Sequence, residues 1–245
     1  MGWLDFSKKK QIEPEDKSVP LDVECPYCQV PLGKFPSRKG VCPHCQKTYW
    51  VRTDPFSRER LVLTEDGVRK NEEQQFRYQL ISEFKRSLFN VIGEDEFEKL
   101  YQETKEAFVK KRGKAPLEGD LMWSISNKMI LLSAKSRDWR AKTGMIYWAQ
   151  SQFVYGEGKD YAYIREKDFE LELKFLRETG TTDMVEILAT PNSCPECQRF
   201  DGKKFTIEEA LDQKILPHKK CTTEPNKAGV GWCRCLYVPS LDHLG

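Results

Sequence analysis

Nine cysteines constrain this 245-residue chain more than any other feature, because they fall into two compact clusters. The first cluster holds four of them within residues 25–45, and the second holds five within residues 194–235. Cysteines grouped at Cys-x-x-Cys spacing are typical of metal ligands, particularly in a chain that lacks a secretory context. We therefore expect each cluster to bind a metal ion in a reducing compartment.

The first cluster consists of two Cys-x-x-Cys pairs separated by thirteen residues, which is the spacing of a zinc ribbon. Two such turns give a closed shell of four thiolates, and backbone N–H groups in each turn can donate to the sulfurs. The predicted ligands are Cys25, Cys28, Cys42 and Cys45. His44 lies inside the second pair and is expected to be exposed rather than to act as a ligand.

The second cluster offers more ligands than one zinc ion needs. Its candidates are Cys194, Cys197, Cys221, Cys233 and Cys235, with His218 as a further possibility. A tetrahedral shell takes four ligands, so the sequence leaves open which residues join the opening Cys-x-x-Cys pair. We expect this zinc to be structural, stapling a segment too short to bury its own core, and we expect about two zinc ions per chain in total.

The second cluster is embedded in predicted strands and a short helix. Residues 184–189 predict a strand that leads into the first cysteines and pairs with residues 235–238. The Asp-Gly pair at 201–202 favours a hairpin turn, so the first two ligands are expected on a hairpin. A capping box then precedes a short helix over 207–214. The Cys-Arg-Cys run at 233–235 is expected in a strand, with both cysteines on one face.

Between the two clusters, the periodicity of apolar residues predicts a helical region. The first stripe recurs every four residues at Phe76, Leu80, Phe84 and Leu88. A second helix follows Gly93 and ends at Gly113, and Asp120 is the expected N-cap of a third helix reaching about Ser136. The further predicted helices cover about 138–155 and 161–178. The core residues expected on the third helix are Trp123, Ile130 and Leu131.

These patterns predict an α+β protein with a small zinc-stapled β module at its C-terminal end. The expected organisation is a flexible arm over 1–20, a zinc ribbon over 21–60, a helical region over 61–180 and a C-terminal zinc-binding module over 181–245, packed on the helices. The arm has an apolar-aromatic start followed by three lysines, which suits weak docking to a surface or partner.

Composition and length exclude several classes. The longest apolar runs are far shorter than the roughly 20 residues of a membrane-spanning helix, so no transmembrane segment is expected. The N-terminus lacks the pattern of a secretory signal, which favours a cytoplasmic location. The formal charge of +2 gives no overall basic footprint, so any nucleic-acid contact would use a local patch.

One local patch of this kind lies in the first cluster, where basic and aromatic residues alternate. Its candidate residues for nucleic-acid or partner binding are Lys34, Arg38, Lys39, Tyr49 and Trp50. Cations beside stacking rings suit single strands or RNA. Nearby acidic residues dilute the positive charge of the patch, and zinc ribbons also serve as protein-docking modules. Nucleic-acid binding and protein docking therefore both remain open as interpretations.

Residues 185–238 carry a strand, Cys-x-x-Cys, an Asp-Gly-Lys hairpin, a short helix, a loop and Cys-Arg-Cys followed by apolar residues. This order resembles the C-terminal region of phage Mu F-like head-morphogenesis proteins. The resemblance implies a minor capsid or portal-associated protein, in the cytoplasm or the virion, with a capsid or portal protein as partner. That family places His-Pro-Asn before Cys-Arg-Cys, whereas this chain has Val230-Gly231-Trp232 there, and the N-terminal ribbon lies outside the family pattern.

We therefore expect a non-enzymatic zinc-binding protein that acts through protein and nucleic-acid contacts. One alternative is a nucleic-acid-binding zinc-ribbon adaptor of bacterial or phage origin, and a second is a metal- or thiol-dependent enzyme or toxin-related module. A zinc deaminase would need Pro-Cys-x-x-Cys after a His-x-Glu or Cys-x-Glu motif, and none follows the Cys-Pro-Glu at 194–196. No catalytic residue is predicted.

Overall fold

The computed structural model describes residues 23–240, which contain seven helices and two three-stranded sheets, and the α+β class is confirmed. The chain divides into two compact units, Met1–Phe76 and Arg77–Gly245, called here the N-terminal unit and the C-terminal unit. The arm predicted over 1–20 lies outside the described residues. Within the described part, no helix combines the length and apolarity needed to span a bilayer.

The N-terminal unit contains an antiparallel sheet in the order β1-β2-β3. Its strands are β1 (Gly40–Val41), β2 (Thr48–Thr53) and β3 (Arg60–Leu63). The β2–β3 turn is organised by Asp54, whose carboxylate accepts N–H donors from Phe56 at 2.8 Å and Ser57 at 2.7 Å. The N–H groups of Ser57 and Phe56 lower the pKa of Asp54. Residues 54–59 therefore form the turn of an antiparallel hairpin between β2 and β3.

Five long helices follow, with α1 crossing the boundary between the two units. They are α1 (Glu65–Ile92), α2 (Glu94–Arg112), α3 (Glu118–Ser133), α4 (Trp139–Gly156) and α5 (Ala162–Thr179). Gly93 turns the chain from α1 into α2 at a φ of 85°, and Gly180 ends α5 at a φ of 61°. Both φ angles are ones that residues with a Cβ rarely adopt, which explains the glycines.

The apolar stripes of α1 to α4 pack into one core within the C-terminal unit. Its buried members include Phe84, Leu88, Phe97, Leu121, Met122, Ile125, Met129, Ile146 and Phe153. Three expectations were wrong here. Phe76 is 50% exposed and Leu131 is 72% exposed, so neither belongs to the core. Asp120 lies in the first turn of α3, whose N-cap is Leu117, and the helix ends at Ser133.

The C-terminal sheet has the antiparallel order β5-β4-β6. Its strands are β4 (Met184–Leu188), β5 (Lys204–Thr206) and β6 (Leu236–Pro239). The predicted pairing of the strand near 184–189 with the chain's last strand is confirmed, because Ile187 pairs with Tyr237 and Leu188 with Leu236. Phe169 and Leu173 of α5 lie in the same buried cluster as the sheet.

Two short helices complete this unit, α6 (Pro195–Gln198) and α7 (Ile207–Gln213). The capping box that starts α7 is confirmed: Thr206 accepts the N–H of Glu209 at 3.1 Å, and the Glu209 carboxylate accepts the N–H of Thr206 at 2.8 Å. The strand expected to include Cys233 and Cys235 begins only at Leu236. The expectation that these two cysteines share a strand face was therefore wrong.

Candidate metal centres

The two Cys-x-x-Cys turns of the N-terminal unit have the same backbone conformation. Gln29 donates its N–H to the carbonyl of Cys25 at 2.9 Å, and Gln46 does the same to Cys42 at 2.9 Å. Both glutamines have a φ of 58°, in the left-handed region. This tight reversal after each pair brings two thiols to one side of the turn, so the two turns present four thiols to each other.

The spacing of these four sulfurs fits a tetrahedral metal site. The Sγ atoms of Cys25 and Cys45 are 3.8 Å apart, and those of Cys28 and Cys42 are 3.7 Å apart. A zinc ion with Zn–S bonds of about 2.3 Å at the centre of a tetrahedron places its sulfurs about 3.8 Å apart. A disulfide would need about 2.05 Å, and all four cysteines are free. All four ligand atoms lie within 4.8 Å of one another.

The electrostatics of this cluster favour a cation. The backbone N–H of Cys45 lowers the pKa of Cys42 to about 6, against the effect of burial, and the N–H of His44 adds to the lowering. For Cys28 the N–H of Val30 acts in the same direction, but burial and the neighbouring thiols raise its pKa to about 12. The thiols share protons, so all four ionise together only when a positive charge lies among them.

The second cluster draws its thiols from three separate segments of the C-terminal unit. Cys194 caps α6 and Cys197 lies within it, so the first two ligands lie on a short helix in the β4–β5 connection rather than on a hairpin. Cys221 lies in the loop after α7, and Cys233 and Cys235 immediately precede β6. All five cysteines are buried, within the same apolar cluster as the sheet.

The sulfur spacing of this cluster repeats that of the first. Cys221 lies 3.8 Å from both Cys194 and Cys197, and Cys197 lies 3.9 Å from Cys233, measured between Sγ atoms. Two sets of three ligand atoms lie within 4.8 Å of one another: Cys194, Cys197 and Cys221 form one, and Cys197, His218 and Cys235 form the other. Both cysteine clusters can therefore hold metal ions and are consistent with zinc.

Protons are unevenly distributed among these buried thiols. The thiol of Cys235 lowers the pKa of Cys233 to about 6, against burial, and the backbone N–H of His218 donates to Cys233 at 3.4 Å. Burial raises the pKa of Cys197, and negative charge at Cys233 raises it further. Thiolates held this close in a buried site need a cation to ionise together.

The sequence patterns did not identify several residues that support this cluster. Tyr161 accepts the N–H of Cys233 at 2.6 Å, and Thr223 accepts the N–H of Cys194 at 3.1 Å through its hydroxyl. Gly231 lies so close to Cys221 that an added Cβ would be 2.2 Å from the Cys221 carbonyl oxygen. The glycine directly before Trp232 and the Cys-Arg-Cys run is the one sequence signal that indicated a close backbone approach.

The basic and aromatic residues proposed for binding lie on the surface of the N-terminal unit. Lys34, Arg38 and Lys39 are exposed, while Tyr49 and Trp50 are half-buried on β2. The ammonium group of Lys39 lies 5.5 Å from the centroid of the Trp50 ring. This arrangement leaves a cation and an accessible ring side by side, as single-strand recognition requires.

One cavity of this unit has a different character. It encloses about 770 Å³ and is lined in part by Tyr27 and Trp50. Its charged walls carry the carboxylates of Glu65, Asp66 and Glu72 and one guanidinium, Arg69, which Asp66 pairs with at 2.5 Å. A cavity with this excess of carboxylates disfavours a phosphate, so any nucleic-acid contact would use the lysine side of Trp50.

No protein-family model, curated protein or solved structure matches this chain. The predicted ligand set of the first cluster lies together, and all five cysteines of the second lie in one buried region with His218 beside them.

Proposed function

We propose that this chain is a non-enzymatic binding protein in which each compact unit is stabilised by its own zinc centre. The observation that carries the proposal is the spacing between sulfurs, 3.7 to 3.9 Å in both clusters, which matches the tetrahedral edge of about 3.8 Å. In the N-terminal unit, four thiolates close the shell and leave no open coordination position for a substrate. A closed shell is the form of structural rather than catalytic zinc.

The binding role we propose is that of a phage head-morphogenesis or minor capsid protein, acting in the cytoplasm or the virion. Support comes from the order β4, Cys-x-x-Cys, β5, α7 and then Cys-Arg-Cys before β6, which follows the order of motifs on which the resemblance to Mu F-like proteins rests. A portal or capsid protein is the expected partner. Exposed apolar side chains on α3 and α4, among them Leu131 and Met145, offer contact area for a protein.

Nucleic-acid binding through the N-terminal unit is a second candidate function. The pairing of Lys39 with Trp50 favours it, because a base can stack on the ring while the cation contacts a phosphate. Lys39→Ala and Trp50→Ala should each weaken binding of a fluorescent single-stranded oligonucleotide severalfold, with affinity falling as salt rises. Lys99→Ala, an exposed lysine of α2, is the matched control. Absence of binding at physiological salt would leave protein docking as the role of this unit.

Zinc analysis of three purified proteins tests the proposal. The parent should contain zinc, Cys25→Ser/Cys28→Ser should lose the zinc of the N-terminal unit, and Cys194→Ser/Cys197→Ser should lose that of the C-terminal unit. Removing zinc with a chelator should unfold both units, because binding energy is part of folding energy at structural sites. A parent without zinc, or with folding unchanged by the chelator, would contradict the proposal.

A further inference from the structure

The second cluster contains more buried donors than a single zinc ion can use. Five thiols and one imidazole lie in one buried region, and His218 itself is only 7% exposed. A structural zinc takes four ligands. One ion would therefore leave two donors buried beside an occupied site, where unpaired polar groups are costly.

The donors form two sets that share one residue. Cys194, Cys197 and Cys221 lie within 4.8 Å of one another, as do Cys197, His218 and Cys235. Cys197 is fully buried and belongs to both sets. A thiolate has enough lone pairs to bind two metal ions at once, so this geometry is that of a bridging ligand between two neighbouring ions.

His218 provides an independent observation. Its Nε2 atom is buried and has no hydrogen-bond partner among the described residues. The imidazole packs against Phe200, with ring centroids 4.5 Å apart, so the ring is held in place by an apolar neighbour. A buried nitrogen without a partner costs free energy, and a metal ion in the set with Cys197 and Cys235 would provide that partner.

Cys233 supplies a further ligand position. Its sulfur lies 3.9 Å from that of Cys197, the residue that the two sets share. Two four-coordinate zinc ions need eight ligand positions; six donors fill seven of them when Cys197 bridges, and a water molecule can take the eighth. A second ion also offsets negative charge that one ion would leave on the buried thiolates.

We propose that the second cluster is a binuclear zinc site, in which Cys197 bridges one ion held by Cys194 and Cys221 and another held by His218 and Cys235, with Cys233 as a further ligand beside Cys197. Binding displaces the thiol protons to solvent and involves no change of oxidation state. The proposal rests on the zinc-centre function proposed above and raises the expected content from two ions to three per chain.

Native mass spectrometry of the full chain tests the count. The parent should carry three zinc ions, and Cys25→Ser/Cys28→Ser should carry two. His218→Ala should lose one ion and keep the C-terminal unit folded, because Cys194, Cys197 and Cys221 remain for the other ion. His44→Ala, at an exposed histidine of the first cluster, should keep all three.

Two ions in the parent and one in Cys25→Ser/Cys28→Ser would overturn the binuclear site while leaving the zinc-centre function intact. No zinc at all would overturn both. Cadmium-113 substitution of the parent gives a second readout that needs no variant. It should yield three resonances, two of them showing mutual scalar coupling through the bridging sulfur of Cys197, and three or fewer uncoupled resonances would contradict the bridge.

Discussion

The hydroxyl of Tyr161 accepts the backbone N–H of Cys233 at 2.6 Å and donates to the carbonyl of Gly231 at 3.1 Å. Tyr161 is 1% exposed, and its ring stacks on that of Trp232 with centroids 4.4 Å apart. The start of α5 therefore fixes the segment that delivers the last two cysteines. This contact connects the helical core to the second metal centre.

Tyr161→Phe should destabilise the C-terminal unit. The substitution keeps the stacked ring but leaves the buried N–H of Cys233 without its acceptor, which should lower the free energy of unfolding by about 1–3 kcal/mol. Urea denaturation followed by far-UV circular dichroism measures this. Tyr163→Phe is the matched control, because Tyr163 is 51% exposed on the same helix and should unfold like the parent. Equal stability of the two variants would show that the Tyr161 contacts contribute nothing.

Gly231→Ala should weaken zinc binding in the C-terminal unit. The new Cβ would lie 2.2 Å from the carbonyl oxygen of Cys221, so the backbone beside that ligand must shift. A shift of this size moves a sulfur away from tetrahedral spacing, and we expect at least a tenfold loss of affinity. Competition with a zinc-binding dye measures it. Ala228→Ser, at an exposed position of the same loop, should bind as the parent does.

The two zinc centres should stabilise separate parts of the chain. Cys194→Ser should make the region beyond Gly180 sensitive to limited proteolysis, because Cys194 and Cys221 join segments far apart in sequence. Cys25→Ser should expose the N-terminal unit to cleavage and leave the helices beyond Arg77 intact. If the Cys194 variant resists protease beyond Gly180 as well as the parent does, the second cluster is not a structural staple.

Acidification should release zinc from the N-terminal unit. The pKa of Cys42 is about 6, below its ordinary 9.0, so the folded state binds fewer protons than the unfolded chain between these values. Its contribution to stability is then complete above about pH 9 and is lost as the pH falls through about 6. In the Cys194→Ser/Cys197→Ser variant, the remaining zinc should be retained at pH 7.5 and released as the pH falls through the acid range. Release already at pH 7.5 would contradict this.

The sequence predicted the cysteine clusters and the pairing of β4 with β6 because both depend on local patterns, thiol spacing and alternation of apolar residues. The start of α3 depended on tertiary packing instead. The first turn of α3 packs against α4, with Gly119 close to Phe153, and the helix begins before Asp120. No local propensity contains that information.

Two other predictions from the sequence were wrong for similar reasons. The run of apolar residues at 129–132 cannot all face the core of one helix, and packing buries Met129 while leaving Leu131 outside. The sequence pattern predicts a strand that includes Cys233 and Cys235. The N–H of Cys233 instead donates to the Tyr161 hydroxyl and not to a neighbouring strand. A side-chain acceptor 72 residues away in sequence cannot be read from a local pattern.

Zinc K-edge X-ray absorption of the purified parent protein tests the central claim most directly. Cysteine-bound zinc should give a shell dominated by sulfur at about 2.3 Å, with a minor nitrogen contribution at about 2.0 Å from His218. His218→Ala should remove the nitrogen contribution and keep the sulfur shell. A shell of oxygen and nitrogen alone, or a protein that carries no zinc, would contradict the account.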